Sequence, residues 1–216
     1  MAETGKGPGP CFELAPGVPL EGDISSLAPI EALSVLYLHM NSIIGISGDV
    51  SYSEFLQRQS LETSDQERPN ARRDAALVRN FFSRQIPGIS LKDYLLRLHR
   101  YCPMSTGVYL ATSWFITRMA LVEKIVPVTA YNAHRLVLGG LRVATKLLED
   151  LHHSHERFSK VGGVAEAQLT RFEIDFCYLM DFDLKVNYEI LSQEITMFQE
   201  RLDDALSSRQ MVVQAP

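Results

Sequence analysis

Read for its rhythm of apolar and polar residues, the chain divides into helical stretches, and no strand pattern emerges. Between Pro29 and about Ile44, Leu33, Leu36, Tyr37, Met40, Ile43 and Ile44 recur at three- and four-residue spacing, and Pro29 suits the first helical position. Gly45 and Gly48 are expected to stop that helix. From Ser51 to Ala71 the chain is polar, and Gln59 to Arg73 reads as an exposed connection with room for a short helix ahead of it. Ser90 with Asp93 then marks a new helix start, followed by Leu91, Tyr94, Leu95, Leu98 and Tyr101 on one face. Pro103 ends it. Ser105 is placed to cap the next helix, Thr106 to Lys124, which is apolar almost all round and carries the single tryptophan, Trp114.

The stretch TAYNAHRLVLGGLRVATKLLED, Thr129 to Asp150, organises the remainder. It reads as one helix capped by Thr129, with Leu136, Val137, Leu138, Leu141, Val143, Ala144, Leu147 and Leu148 covering more than one face, as in a central helix. Gly139 and Gly140 each cost about 1 kcal/mol relative to alanine at mid-helix. A structural reason to keep them is close approach of another helix backbone. Leu151 to Gly163, with His152, His153 and His155, reads as a loop. A helix from about Ala165 to Met180 turns Leu169, Phe172, Phe176 and Leu179 inward, and another from about Tyr188 to Leu206 turns in Leu191, Ile195, Phe198 and Leu202. The expectation is an all-α fold: a five-helix bundle around a central buried helix, with one extra N-terminal helix. Residues 1–27 are expected to form a loosely ordered tail, 28–89 the N-terminal helix and connection, 90–206 the bundle, and 207–216 a frayed end.

Composition narrows the function. With 216 residues there is enough chain for one good-sized core. A formal charge of −5 argues against a general nucleic-acid binder. Cys11, Cys102 and Cys177 are scattered and odd in number, which suggests neither a disulfide framework nor a zinc site and fits a reducing compartment. No apolar run follows a basic N-terminus, and the apolar stretch Val108 to Val126 is broken by Arg118, Glu123 and Lys124, so a core helix is expected there instead of a membrane span. An intracellular location, nucleus or cytoplasm, is expected. Arg72, Arg73, Arg79 and Arg84 form a locally basic segment, either a solvated face or a docking patch for an acidic partner. Thr4, Thr63 and Ser64 are exposed modification candidates by composition.

Chemical motifs are sparse. Glu149, Asp150, His152, His153 and His155 invite a metal hypothesis, but they lack the HExxH arrangement, and a solvated turn is the expected reading. There is no GxSxG elbow, P-loop or dinucleotide fingerprint, and Asp181 and Asp183 have no evident acid–base partner. No enzyme activity, metal or cofactor is therefore expected. Glu173 and Cys177 lie one helical turn apart, with Met180 following on the same side. A carboxylate among apolar neighbours is costly unless paired, and Lys146 could pair it. Spacing alone leaves open a plain internal salt bridge between two helices.

LRVATKLLED followed by LTRFEIDFCYLMDFDLKV resembles the cyclin box. YLLRLHRYCPMS, the central-helix segment and FSKVGGV resemble, more narrowly, the P/U-type cyclins, the single-box phosphate-regulon class. The likeness runs from about Ile30 to Phe198. It implies a non-catalytic subunit that grips a cyclin-dependent protein kinase by its regulatory helix. Lys146 and Glu173 match the family's kinase-contacting pair, and Leu147, Cys177, Phe182 and Leu184 match the apolar positions around it. Two departures stand out. The first box helix lacks the apolar patch that mitotic cyclins use to dock substrates, and no second helical repeat follows. A two-repeat, DNA-binding relative is disfavoured by the single repeat and the negative charge, and no membrane partner is expected. A kinase-independent helical adaptor is the alternative, because fold and function are separable.

Overall fold

The computed structural model describes residues 24–62 and 71–196. The expectations for both far tails, for Cys11, Thr4, Thr63 and Ser64, and for inward-facing Phe198 and Leu202 lie outside the described residues. Among the described residues all regular structure is helical. The α-helices are α1 (Pro29–Ser47), α2 (Tyr52–Glu62), α3 (Ala71–Phe81), α4 (Leu91–Tyr101), α5 (Thr106–Thr117), α6 (Ala133–Leu148), α7 (His155–Gly162), α8 (Glu166–Leu179) and α9 (188–196).

The centre of the molecule is α6. Every residue from Leu136 to Thr145 is buried, and the helix packs against α5 and α8, with α3 and α4 also in contact. The glycine pair sets the depth of that packing. A β-carbon on Gly139 would stand 3.3 Å from the backbone oxygen of Phe172 and 3.3 Å from the Phe81 ring. One on Gly140 would stand 3.0 Å from the Thr112 methyl and 3.1 Å from the Phe176 ring. The expected close approach is therefore real, and it is made from two sides, by α8 and by α5.

The outer helices follow from caps and apolar stripes. Ser90 caps α4 by accepting from the Asp93 amide at 3.1 Å, and its hydroxyl donates to the Asp93 carboxylate at 2.6 Å. Leu33, Leu36, Met40 and Ile43 of α1 are buried against the core, chiefly along α5. By length and composition α1 alone among the described helices would be long and apolar enough to cross a bilayer, though its apolar stripe is occupied by this packing. Ordered packing begins before α1: Leu27 is buried, and its carbonyl accepts the Thr106 hydroxyl at 2.7 Å.

Several local expectations are corrected. Thr129 does not open α6. It sits in a preceding turn where its amide donates to Asn132 Oδ1 at 2.8 Å, and Ala133 is the first helical residue. Ser105 stands at the cap position of α5, but its hydroxyl caps nothing; its own amide donates instead to Glu149 Oε1 at 2.7 Å. That carboxylate thereby finds a helix N-terminus, where the dipole favours it. The helix after Ser105 ends at Thr117 and passes into one wider, π-type turn, Arg118–Val122, instead of continuing to Lys124. Gly45 is accommodated within α1, which stops at Gly48. The polar segment ahead of Ser90 contains two helices, and α3 sends Val78 and Phe81 into the core. The histidine-rich stretch is largely helical: Ser154 caps α7 through the Arg157 amide at 3.2 Å, and Phe158 is buried.

Gly140→Val should lower stability by about 2 kcal/mol, the range for overpacking a filled core. In a chain of this size that corresponds to a fall in Tm of about 4–8 °C. Gly45→Ala, where a β-carbon meets nothing within 4 Å, should leave Tm unchanged or raise it. Thermal melts of the two variants check both directions.

Candidate partner-binding site

The exposed end of the central helix is its last turn. Lys146, Leu147 and Leu148 emerge from an otherwise buried helix, with Leu147 44% and Leu148 40% exposed. Beside them α8 carries Glu173 on the side facing α6. Lys146 Nζ donates to Glu173 Oε1, and Arg142 Nε lies 3.7 Å from Glu173 Oε2. One carboxylate thus stands between two cations on adjacent turns of α6.

Those cations differ in character. The Lys146 side chain is 41% exposed, whereas that of Arg142 is 3% exposed. Arg142 donates to the His153 carbonyl at 3.1 Å and lies 5.6 Å from the centre of the Phe158 ring. Burial pushes its pKa down, and the neighbouring Glu173 opposes that shift. A buried guanidinium needs partners because desolvating a charge is expensive. Glu173 supplies one, so this carboxylate is held in place from below as well as bridged from above. Arg142 was missed from the sequence. Its signal was its place four residues before Lys146, which puts both on one helix face.

The apolar members fall into two groups. Leu147 and Phe182, 61% exposed, are open to solvent. Cys177 and Leu184 are partly buried against the core. Burial and the Glu173 charge raise the Cys177 thiol pKa, while Lys146 lowers it. Met180, placed on this side by spacing, is instead fully buried. In its place α8 exposes Ile174 (49%) and Tyr178 (44%), about two turns and one turn before Phe182. The series 174, 178, 182 was legible at four-residue spacing, although the inward stripe of the same helix drew the pattern.

Phe182 occupies an unusual backbone. Asp181 has φ 49° and Phe182 φ 57°, a left-handed region that a bulky side chain adopts at a cost. Arg118, from the π-type turn after α5, holds it there. Its Nη1 donates to the Asp183 carbonyl at 3.0 Å and its Nη2 reaches the Asp183 carboxylate at 2.9 Å. The Phe182 ring meets Tyr178 edge-on, centroids 5.0 Å apart. The aromatic pair is therefore set by the fold instead of left to swing freely.

The histidine cluster forms no metal centre: among the described residues no three His, Cys, Asp or Glu side chains converge on one point. Its members are spent separately. His153 Nε2 meets the Pro103 carbonyl at 3.2 Å, and His155 Nε2 meets the Glu166 carbonyl at 2.9 Å. A buried polar cluster lies elsewhere and was not legible in the sequence. His39 Nδ1 lies 2.6 Å from Ser113 Oγ and 2.8 Å from Glu194 Oε1, and Ser113 donates to Glu194 at 2.8 Å. It resembles a Ser–His–acid set by composition only. The carboxylate bonds the serine directly, and all three residues are sealed, at 3% exposure or less, so the cluster ties α9 to α1 and α5.

The family described as Cyclin matches residues 45–184 of this chain. The chain belongs to the cyclin family. Cyclin-U2-2 of Arabidopsis thaliana is 31% identical over 150 residues, covering 63% of this chain and 65% of that protein. PHO85 cyclin-7 of Saccharomyces cerevisiae is 29% identical over 120 residues, covering 50% of this chain and 42% of that protein. The PHO85 cyclin-like protein psl1 of Schizosaccharomyces pombe is 29% identical over 124 residues, covering 57% and 50% respectively. Within the family the chain is a P/U-type cyclin. It spans about two-fifths to two-thirds of the length of these relatives.

Arg118→Ala should release the turn without unfolding the core. Losing a charged hydrogen bond typically costs ~1.5–3 kcal/mol, so exchange of the Phe182 and Asp183 amides should speed up at least tenfold. Amide hydrogen exchange resolved by residue checks this, with Leu141 to Ala144 as unaffected internal controls.

Proposed function

We propose that this cyclin is a non-catalytic regulatory subunit that binds a cyclin-dependent protein kinase and holds its regulatory helix in the active position. The observation that carries the reading is the uncovered strip of Leu147, Ile174, Tyr178 and Phe182 beside the Lys146–Glu173 bridge. Aromatic anchors next to a fixed charged pair have the anatomy of an interface centre. In a kinase, a glutamate on the regulatory helix must pair with the ATP-orienting lysine before phosphoryl transfer proceeds. A subunit that binds only the inward pose of that helix shifts the kinase population toward activity. Moving from mostly off to mostly on takes about 5.5 kcal/mol of differential binding.

Glu173 and Lys146 are suited to hydrogen-bond a helix or loop backbone laid across the strip, since each keeps unused donor or acceptor capacity. Their mutual attraction in the free protein is weak, because Lys146 is solvated. Covering the pair with a partner excludes water and strengthens it. On this reading the protein acts inside the cell, where such kinases work.

Lys146→Ala and Glu173→Ala should each leave a helical, folded protein and weaken kinase binding by about 2 kcal/mol, roughly 30-fold. Calorimetric titration against a cyclin-dependent kinase, with far-ultraviolet dichroism as a folding control, measures both. Wild-type affinity in both variants would contradict the assignment. Phe182→Gly separates fold from function. Removing a bulky side chain from a left-handed position relieves about 1 kcal/mol of strain, so Tm should hold or rise while kinase affinity falls.

A further inference from the structure

We infer that the groove between α2, α3 and α8 is a docking site for a phosphorylated serine or threonine on a segment of a partner protein. The groove has a volume of about 660 Å³ and is lined by Tyr52, Ala75, Ala76, Arg79, Asn80 and Arg171. That volume accommodates a phosphorylated side chain with its flanking backbone. Neither arginine belongs to the kinase-binding strip, so the inference stands apart from the function proposed above.

The walls are fixed. Tyr52 donates its hydroxyl to the Ala75 carbonyl at 3.0 Å, and its ring packs against Phe82 with centroids 5.5 Å apart. Asn80 Nδ2 donates to Asp175 Oδ2 at 2.7 Å, and Asp175 is buried. Ala75 and Ala76 keep the floor shallow and free of competing side chains. Into this frame two different helices each bring a guanidinium, Arg79 from α3 and Arg171 from α8.

Among the described residues their charges are not spent. Most arginines nearby are committed: Arg73 to Asp74 and Asp181, Arg118 to Glu123 and Asp183, and Arg135 to the carbonyls of Asn80 and Phe82. Among the described residues no carboxylate lies within 4.0 Å of the guanidinium of Arg79 or Arg171. Arg171 acts electrostatically on Asp175. Asp175 is already bonded to Asn80 and is only 6% exposed, so it is a shielded counter-ion for the two cations. A phosphate monoester, with about −1.5 to −2 charges and three acceptor oxygens, completes that balance where a carboxylate falls short. Two forked guanidiniums offer it paired N–H donors. A nucleic acid is the poorer fit: it calls for a basic stripe, whereas here two cations sit in a niche of a chain with net charge −5.

The test is fluorescence anisotropy of the full-length chain with a fluorescein-labelled peptide pool carrying one fixed phosphoserine or phosphothreonine and randomised flanks. The same pool without phosphate, and with glutamate in its place, should bind at least tenfold more weakly. Arg79→Ala, an exposed substitution, should weaken binding of the phosphorylated pool at least tenfold, and Arg79→Ala with Arg171→Ala should abolish it. The corresponding Arg→Lys pair, which keeps charge and loses the fork, should fall between. Lys146→Ala should leave peptide binding unchanged. Inorganic phosphate should compete only in large molar excess. Absence of binding by the phosphorylated pool, equal binding of the glutamate pool, or indifference to the double alanine variant would overturn the inference. So would mole-for-mole competition by inorganic phosphate, or tighter binding of a single-stranded oligonucleotide.

Discussion

The close approach of α8 and α5 to the glycine pair of α6 is the constraint on which the rest of the molecule depends. A helix normally keeps its neighbours at arm's length through its side chains. At Gly139 and Gly140 that spacing is removed, and the Phe172 backbone and the Phe176 ring enter the gap. The cost in helix propensity is offset by packing on two sides. With α8 drawn in at this level, Glu173 is brought within reach of Arg142 and Lys146 one turn further along α6. The charged bridge is thus a consequence of where the glycines lie.

The same geometry explains why the apolar strip is exposed. The buried stretch of α6 ends at Thr145, and the next three residues run past the edge of the core. The inward face of α8 is filled by Leu169, Phe172, Phe176 and Leu179, which leaves Ile174 and Tyr178 on the outer side. Arg118 then holds the following turn so that Phe182 extends that row. A strip assembled from two helix ends and a pinned turn needs little rearrangement to receive a partner, and pre-organisation of that kind lowers the entropy lost on binding.

How far the sequence discloses this depends on the strength of each local signal. The all-helical class, α1, the cap of α4, the central helix and α8 were legible because long apolar stripes and caps agree there. Helix α3 was not, since its arginines dominate and only Val78 and Phe81 mark its inward side. Helix α7 hid behind histidines and glycines, with Phe158 its one large buried apolar side chain. The Thr129 hydroxyl accepts the Tyr131 amide at 3.2 Å and Asn132 accepts the Thr129 amide, so the two side chains close a turn ahead of the helix, which begins at Ala133. The cluster of His39, Ser113 and Glu194 joins residues remote in sequence, so no periodicity could reveal it. For the site itself, spacing placed Glu173 and Cys177 on one face but could not separate a tie between helices from a contact for a partner. The folded chain makes the tie and leaves its outer side open, so the two readings are compatible. The residue assignments came from family resemblance, whereas Arg142, Ile174 and Tyr178, though their spacing could be read, were singled out only by the packed structure.

The central claim is that the open face of α8, beside the end of α6, lies against a kinase's regulatory helix. A photo-reactive benzoylphenylalanine placed at Tyr178 and illuminated in a complex with a cyclin-dependent kinase tests it most directly. The account predicts a covalent adduct whose kinase peptide maps to the regulatory helix. A complex that forms normally but gives no adduct, or one mapped to a different kinase surface, would contradict it.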